Sequence, residues 1–233
     1  SSIGYAELLK NHECGRELQE QALDYILEEG KRLNSITRKM IKLSRIQPGL
    51  LNIERQDVKK MLETSLMAVR MKAGQKQIHF TSDIPEGIFC YGDREFLITM
   101  MENVLDNAIK ASHEGGVIEV RAAGEGGALA YIQVTDHGIG IPADILDKID
   151  QPFFKGDKAH SQGGDGFGMG LAICKSVMLH HHGSLKYESV VGAYTTVTMR
   201  FPAADYLRLE SPEQTDQVKK DSLWVYEASN IIR

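Results

Sequence analysis

Hydrophobic residues recur at helical spacing through residue 46, and beyond it they break into short alternating runs separated by helical stripes. Ile3, Tyr5, Ala6, Leu8 and Leu9 form an apolar stripe that predicts a helix over residues 1–13, stopped by Cys14-Gly15. A second helix is predicted from Glu17 to Ile46. Its positions Ala22, Ile26, Glu29, Leu33, Ile36, Met40 and Leu43 step by fours and threes, a heptad seam with one polar slot at Glu29. A helix of that length reaches roughly 45 Å, and the first helix is too short to cover it. Unless it packs along its own domain, the seam predicts further upstream sequence, a second chain, or both. Gln47-Pro48-Gly49 ends it, since proline cannot continue a helix and glycine frees the turn.

The texture then changes. Leu50–Ile53 predicts a short strand, and Asp57 caps a helix with Val58, Met61, Leu62, Leu66 and Val69 on one face. Ile78–Thr81 and Ile88–Tyr91 predict strands either side of a turn at 83–87. Asp93 caps a helix running to Ser112, and Val117–Ala122 with Leu129–Thr135 predict a hairpin across Gly124–Gly127. A last helix ends at His180-His181-His182 before Gly183, followed by strands Ser184–Glu188 and Thr195–Phe201. Neighbours on a helix project about 100° apart, so three successive histidines cannot converge on a metal. The pattern predicts an α+β two-layer sandwich preceded by a helical hairpin. The domains are then the hairpin at 1–47, the sandwich at 50–202, and a polar extension at 203–233 that carries Leu223-Trp224-Val225-Tyr226.

Composition narrows the class. At 233 residues, 42% hydrophobic and 25% charged, the chain has the make-up of a globular protein with one ordinary domain and a smaller one. A net charge of −5 with no long basic block excludes the electrostatic footprint of a nucleic-acid binder. Cys14, Cys90 and Cys174 lack C-x-x-C spacing, which argues against a disulfide framework or zinc site and fits a reducing compartment. No apolar run approaches the ~18–20 residues of a membrane span, and no signal-peptide pattern opens the chain. A cytoplasmic molecule is predicted, which can still be one part of a longer, membrane-anchored chain.

Three stretches carry chemistry. In GGDGFGMGLAICK, residues 163–175, the glycines run straight into a helix-forming segment. Such a loop presents free N–H groups and the positive end of the helix dipole, which suits phosphate; alone, it also reads as a flexible loop. On the helix 93–112, Asn103, Asn107 and Lys110 are spaced by four and three and share one face. Amide oxygens are hard ligands suited to Mg²⁺ and a lysine suits phosphate oxygens, the alternative being a solvated polar face. Asp136-His137-Gly138-Ile139-Gly140-Ile141-Pro142 follows a strand. Its glycines let the backbone fold around a flat ligand and Asp136 can accept from an exocyclic amine, where the plainer reading is an Asx-capped turn.

In this order and at these gaps, the motifs resemble the histidine-kinase family of two-component signalling, built on the Bergerat ATP-binding fold. Glu102–Ala108 resembles its N box, Asp136–Gly140 its first glycine motif, and Pro152-Phe153-Phe154 its F box. Gly166–Leu171 resembles its second glycine motif, and Gly192 with Thr195-Thr196 the last one. Gly4–Leu9 and Leu33–Ile46 resemble its dimerisation and phosphotransfer helices, so the likeness spans about residues 1–202.

The resemblance implies ATP and Mg²⁺ as cofactors, with Asp136 reading the adenine amine, Asn107 holding the metal, and Asn103 and Lys110 as catalytic residues, Lys110 on phosphate. It extends the nucleotide site to Gly138, Gly140, Ile141, Phe154, Lys155, Gly166, Gly168, Met169, Gly170, Leu171, Thr195 and Thr196. A mobile lid would cover roughly Phe153–Gly164. The implied activity is transfer of the ATP γ-phosphoryl to a histidine and on to an aspartate of a response-regulator receiver domain, in a homodimer formed through the hairpin. In the family the acceptor histidine lies shortly before the Gly4–Leu9 stretch, so it is expected upstream of this chain, and His12-Glu13 stands at the wrong end of its helix. Asp150, Ala111 and Tyr194 depart from the family pattern, at an F-box aromatic, an aromatic and a glycine. Two other readings stay open: a dimerisation and docking module with nucleotide-gated loops, and a Bergerat-type ATPase. The ATPase is disfavoured because the amide of Asn103 cannot take a proton from water.

Overall fold

The computed structural model describes residues 2–11, 15–47, 50–125, 128–154 and 168–202. Two antiparallel helices open the chain, α1 (Ser2–Asn11) and α2 (Arg16–Arg45), joined side to side by the Tyr5 and Tyr25 rings, 4.8 Å between centroids. The seam is only partly covered. Ala22 is fully buried, but Leu33 and Met40, with neighbouring Leu23 and Leu27, are 48–57% exposed. At its lower end α2 meets the rest of the molecule: Ile46 is buried in the main core and Lys42 Nζ donates to Thr99 Oγ1 at 3.1 Å.

Next come β1 (Glu54–Asp57), α3 (Val58–Gln75), β2 (His79–Asp83), β3 (Phe89–Gly92) and α4 (Arg94–Ala111). They are followed by β4 (Val117–Glu125), β5 (Ala128–Asp136), α5 (Gly170–His180), β6 (Ser184–Val190) and β7 (Tyr194–Arg200). The strands form one seven-stranded sheet, β1-β3-β5-β4-β2, with β7 also on β5 and β6 outside β7. β4 with β5 and β6 with β7 are antiparallel hairpin neighbours, and β2 runs parallel to β4. Helices α3, α4 and α5 cover one face, where Leu97, Met100, Leu105, Ile118, Ile132, Ile173 and Met199 are fully or almost fully buried. This is the α+β sandwich that the periodicity predicts.

The first strand differs from expectation. Leu50 and Ile53 stay 67% and 41% exposed, and the strand is instead the polar Glu54–Asp57. An edge strand is held by backbone pairing, here Glu54 to Gly92 through Asp57 to Phe89, and needs no apolar run. Asp57 ends that strand and caps α3, its carboxylate accepting from Lys60 N at 3.1 Å; Asp93 caps α4 likewise, accepting from Glu95 N and Phe96 N. The other end of α4 is capped by a lysine. Lys76 Nζ donates to the carbonyls of Ile109, Lys110 and Ser112 at 3.1, 2.9 and 3.0 Å, where the helix dipole favours a cation. The helix that carries the asparagines is therefore fixed at both ends.

The histidine triplet ends α5 as its sequence implies. His181 is 3% exposed; its Nδ1–H donates to Val177 O at 2.7 Å and its Nε2 accepts from Asp93 N at 2.9 Å. Both ring nitrogens are engaged in the neutral form, and burial pushes the pKa down. Cys90 and Cys174 are buried and free, with burial raising each thiol to about 12; Cys14 lies outside the described residues.

Candidate active site

Between α4, the start of α5 and the inner face of the sheet lies a cavity of about 100 Å³. Its walls are apolar: Val104, Ala108 and Ala111 from α4, Val134 and Val197 from β5 and β7, Ile139, Ile141 and Ile149 from loops, and Leu171 from α5. Asp136, Asn107 and Thr195 bring polar groups to it. A flat apolar slot with a few convergent polar groups is the usual build of a small-molecule site.

Asp136 is placed by strand alternation. Ile132, Val134 and Asp136 point to the helix side of β5, and Asp136 pairs across the sheet with Ile118 and Thr195. It is 4% exposed and accepts from Gly138 N at 3.1 Å. Burial raises its pKa to about 6, the Gly138 hydrogen bond and nearby His137 opposing the rise. Near neutral pH it is a carboxylate acceptor inside an apolar wall, matched to an amine donor.

The loop after Asp136 is clamped on both sides. Ile139 N donates to Ala111 O at 3.0 Å, and a Cβ on Gly138 would fall on that carbonyl, so helix and loop approach closely only because residue 138 is glycine. Gly140 has φ +66° and passes against the Val190 carbonyl. Ser189 completes the clamp: its Oγ accepts from Ile141 N at 2.8 Å, donates to Tyr194 O at 2.7 Å, and lies 3.0 Å from Thr195 Oγ1. Gly192 N donates to Ile139 O at 2.8 Å.

On α4, Asn107 lines the cavity, while Asn103 and Lys110 are not among its lining residues. Asn103 Nδ2 donates to Thr99 O at 2.8 Å, and its Oδ1 faces Gly170, where a Cβ would lie 3.1 Å away. Lys110 Nζ stands 2.5 Å from Asp106, which also receives Lys72 at 2.6 Å. Burial acts to raise the Asp106 pKa, but hydrogen bonds from Lys110 and Lys72 outweigh it and hold the carboxyl below its usual range. Met169 is 1% exposed at the start of α5 and gives no side-chain cap, so the first-turn amides of Gly170 and Leu171 are met by no side chain of their own turn. Gly168 O accepts from Phe153 N at 2.9 Å, which ties the F-box turn to the glycine run, with Phe154 half-buried beside it.

Thr196 departs from its expected role. Thr195 lines the cavity, but the next side chain in a strand points the other way, and Thr196 Oγ1 meets Thr135 Oγ1 at 2.9 Å on the far face of the sheet. Lys155, Gly166 and most of the expected lid, Lys155–Gly164, lie outside the described residues. Sequence reasoning missed Ser189, Tyr187 and Ile149. For the first two the signal was present: Leu185, Tyr187 and Ser189 alternate along a strand and share its buried side.

Residues 92–205 match the family described as histidine kinase-, DNA gyrase B- and HSP90-like ATPase, and residues 1–49 match the His Kinase A (phospho-acceptor) domain. The chain is 34% identical over 194 residues to the sensor-like histidine kinase SenX3 of Mycolicibacterium smegmatis, covering 82% of this chain and 50% of that protein. The chain belongs to the sensor histidine kinase family. Further members at 33% and 29% identity are ZraS of Escherichia coli and WalK of Bacillus subtilis, covering 78% and 75% of this chain and 37% and 29% of theirs. The chain thus spans about half or less of the length of these curated relatives. Among solved structures, mycobacterial MprB matches at 28% identity with a TM-score of 0.55, covering 64% of this chain and 97% of its own. The histidine kinase AdeS of Acinetobacter baumannii shares the fold at 19% identity and a TM-score of 0.67, over 87% of this chain and 93% of that one. As a sensor histidine kinase, the chain joins an ATPase-like catalytic domain to a phospho-acceptor-type helical domain. No described helix is long and apolar enough to cross a membrane.

Proposed function

We propose that this chain binds Mg·ATP in the cavity beside Asp136 and serves as the phosphoryl-donor core of a two-component sensor histidine kinase. The observation that carries the reading is the buried carboxylate at the end of β5, set in an apolar slot and backed by the Gly138 amide. Asp136 accepts the exocyclic amine of adenine, and Ile139, Gly140, Ile141, Ala111 and Leu171 enclose the ring. Gly168, Met169, Gly170 and Leu171 lead the backbone amides of α5 towards the phosphates. Lys110, exchanging Asp106 for a phosphate oxygen, neutralises charge as the phosphoryl group departs. Phe154, half-buried beside Gly168, closes the flank of the phosphate side.

Asn107 fits Mg²⁺, because its amide oxygen is a hard ligand on the cavity wall. Among the described residues no group of three or more His, Cys, Asp or Glu could hold a metal. Mg²⁺ at such a site is shared between one or two amides, phosphate oxygens and water. When bound, the ion screens the charge of the β- and γ-phosphates. Asn103, whose amide is bonded back to Thr99 O, holds the helix face beside it and offers no base for water. That favours phosphotransfer over hydrolysis.

The γ-phosphoryl group passes to a histidine and then to an aspartate of a response-regulator receiver domain. One related kinase, ThkA, has been solved in complex with the response regulator TrrA, at 20% identity and a TM-score of 0.66, over 86% of this chain and 56% of that one. The exposed Leu23, Leu27, Leu33 and Met40 of α2 pair with a second copy of the chain. The domain limits 1–47 and 50–202 follow this division of labour, and the molecule works in the cytoplasm, as the cytoplasmic part of a membrane-anchored sensor where one precedes it. Equilibrium titration of the full chain with Mg·ATP tests the reading: saturable binding is expected, and none at millimolar nucleotide overturns it. A docking module that uses only the hairpin predicts dimerisation without that binding.

A further inference from the structure

Tyr187 stands in β6 opposite Val197 of β7 and lines the same cavity as Asn107 and Leu171. Its ring packs against the main core. Its phenol oxygen is buried, and among the described residues it is the one buried side-chain polar atom with no hydrogen-bond partner. The nearest charged and thiol groups are committed elsewhere. Asp150 is held by Lys175 Nζ at 3.0 Å, and Cys174 Sγ donates to Met100 O at 3.5 Å. Burial, reinforced by Cys174 and Asp150, pushes the phenol pKa far up, so it stays a protonated donor. A buried hydroxyl without a partner is costly to keep, and phenylalanine would fill the same space without that cost. Binding chemistry is what the hydroxyl adds.

The sheet fixes where that donor stands relative to Asp136. Asp136 pairs with Thr195, which pairs with Ser189, while Val134 pairs with Val197, which pairs with Tyr187. Tyr187 is therefore two strands across, about 10 Å, and one inward-facing step along from the carboxylate. A base that gives its amine to Asp136 turns its remaining edge, with unprotonated ring nitrogens, towards β6. We propose that Tyr187 is a further recognition residue of this cavity, its O–H donating to a ring nitrogen of the bound purine on the side away from the amine. This rests on the nucleotide reading above and deepens it: the ligand needs an amine at one edge and a ring acceptor at another.

The test uses the full chain, wild type and Y187F, titrated with Mg·ADP and with its 3-deaza and 7-deaza analogues. Y187F is expected to bind Mg·ADP about tenfold more weakly. The 3-deaza analogue, which lacks the ring nitrogen on the side away from the amine, should lose affinity for the wild type and lose nothing further in Y187F, as coupled partners do in a double-mutant cycle. The 7-deaza analogue, whose missing nitrogen flanks the amine, should change both proteins alike. Nucleotide-free Y187F should melt no lower than the wild type. Equal Mg·ADP affinity, 3-deaza losses of the same size in both proteins, or a lower melting midpoint for the nucleotide-free variant overturns the proposal. Failure of the wild type to bind Mg·ADP at all overturns the nucleotide reading itself, so the two failures are told apart.

Discussion

At the end of the cavity proposed for the base, Asp136 is set by strand pairs on both sides, bonded to the Gly138 amide, and 4% exposed. Towards the proposed phosphate end, Lys110 has a side chain 44% exposed and shares Asp106 with Lys72. The base end draws on backbone, which cannot be rearranged without moving β5, α4 and the β6–β7 turn together. The phosphate end draws on long side chains whose surface ion pairs are worth about 0–1 kcal/mol and exchange easily. Recognition of a base demands fixed geometry, while neutralising phosphate demands charge that can arrive late. On the proposed reading, the buried carboxylate held by backbone serves the first task and the exposed, ion-paired lysine the second.

The comparison breaks most visibly at Asp136. In D136N the acceptor loses its charge in a desolvated slot, and calorimetry is expected to show purine affinity reduced about 100-fold, a charged buried hydrogen bond being worth about 1.5–3 kcal/mol. G138A drives a Cβ onto the Ala111 carbonyl. Overpacking of this kind costs about 1–3 kcal/mol, read as a lowered melting midpoint and weaker adenosine binding. Neither change should depend on the phosphates.

Acidity sharpens the contrast. With Asp136 raised to about 6 from 3.8, its stabilising share in the free protein is full below the unfolded value and is lost as pH rises through about 6. Nucleotide affinity runs the opposite way, because the ionised form accepts the amine. Taking pH from about 7 to about 5 cuts the ionised fraction, and with it adenosine affinity, roughly tenfold, and D136N should show no such slope. The smallest effect belongs to the mobile end. K110A is expected to weaken Mg·ATP by about threefold to fivefold, the scale of an exposed charge contact, and to leave adenosine unchanged. An equal loss for adenosine would mean that Lys110 supports the fold and not the phosphates.

The same contrast decides what the sequence could reveal. The buried stripe of α4 and the caps Asp57 and Asp93 were legible because each follows a local rule. Asp136, Gly138 and Gly140 also read as a plain capped turn, and their assignment to a base site came only with the family resemblance. The alternation along β6 shows that Tyr187 and Ser189 share a buried side, but no local period reports what they meet there: the Ile141 amide, 48 residues from Ser189, or Val197 opposite Tyr187. Thr196 was placed in the site with Thr195 because the pair resembles the family's last motif, whereas strand alternation sends it to the other face. Lys76 capping α4 from the end of α3 has no sequence signature at all, since any lysine after a helix reads as solvated.

The most direct measurement is a crystal structure of the full chain with Mg·ADP. It should show the exocyclic amine of adenine within hydrogen-bond distance of the Asp136 carboxylate, with the ring between Ala111, Ile141 and Leu171. A base seated elsewhere, with the Asp136 carboxylate making no contact with it, would contradict the account.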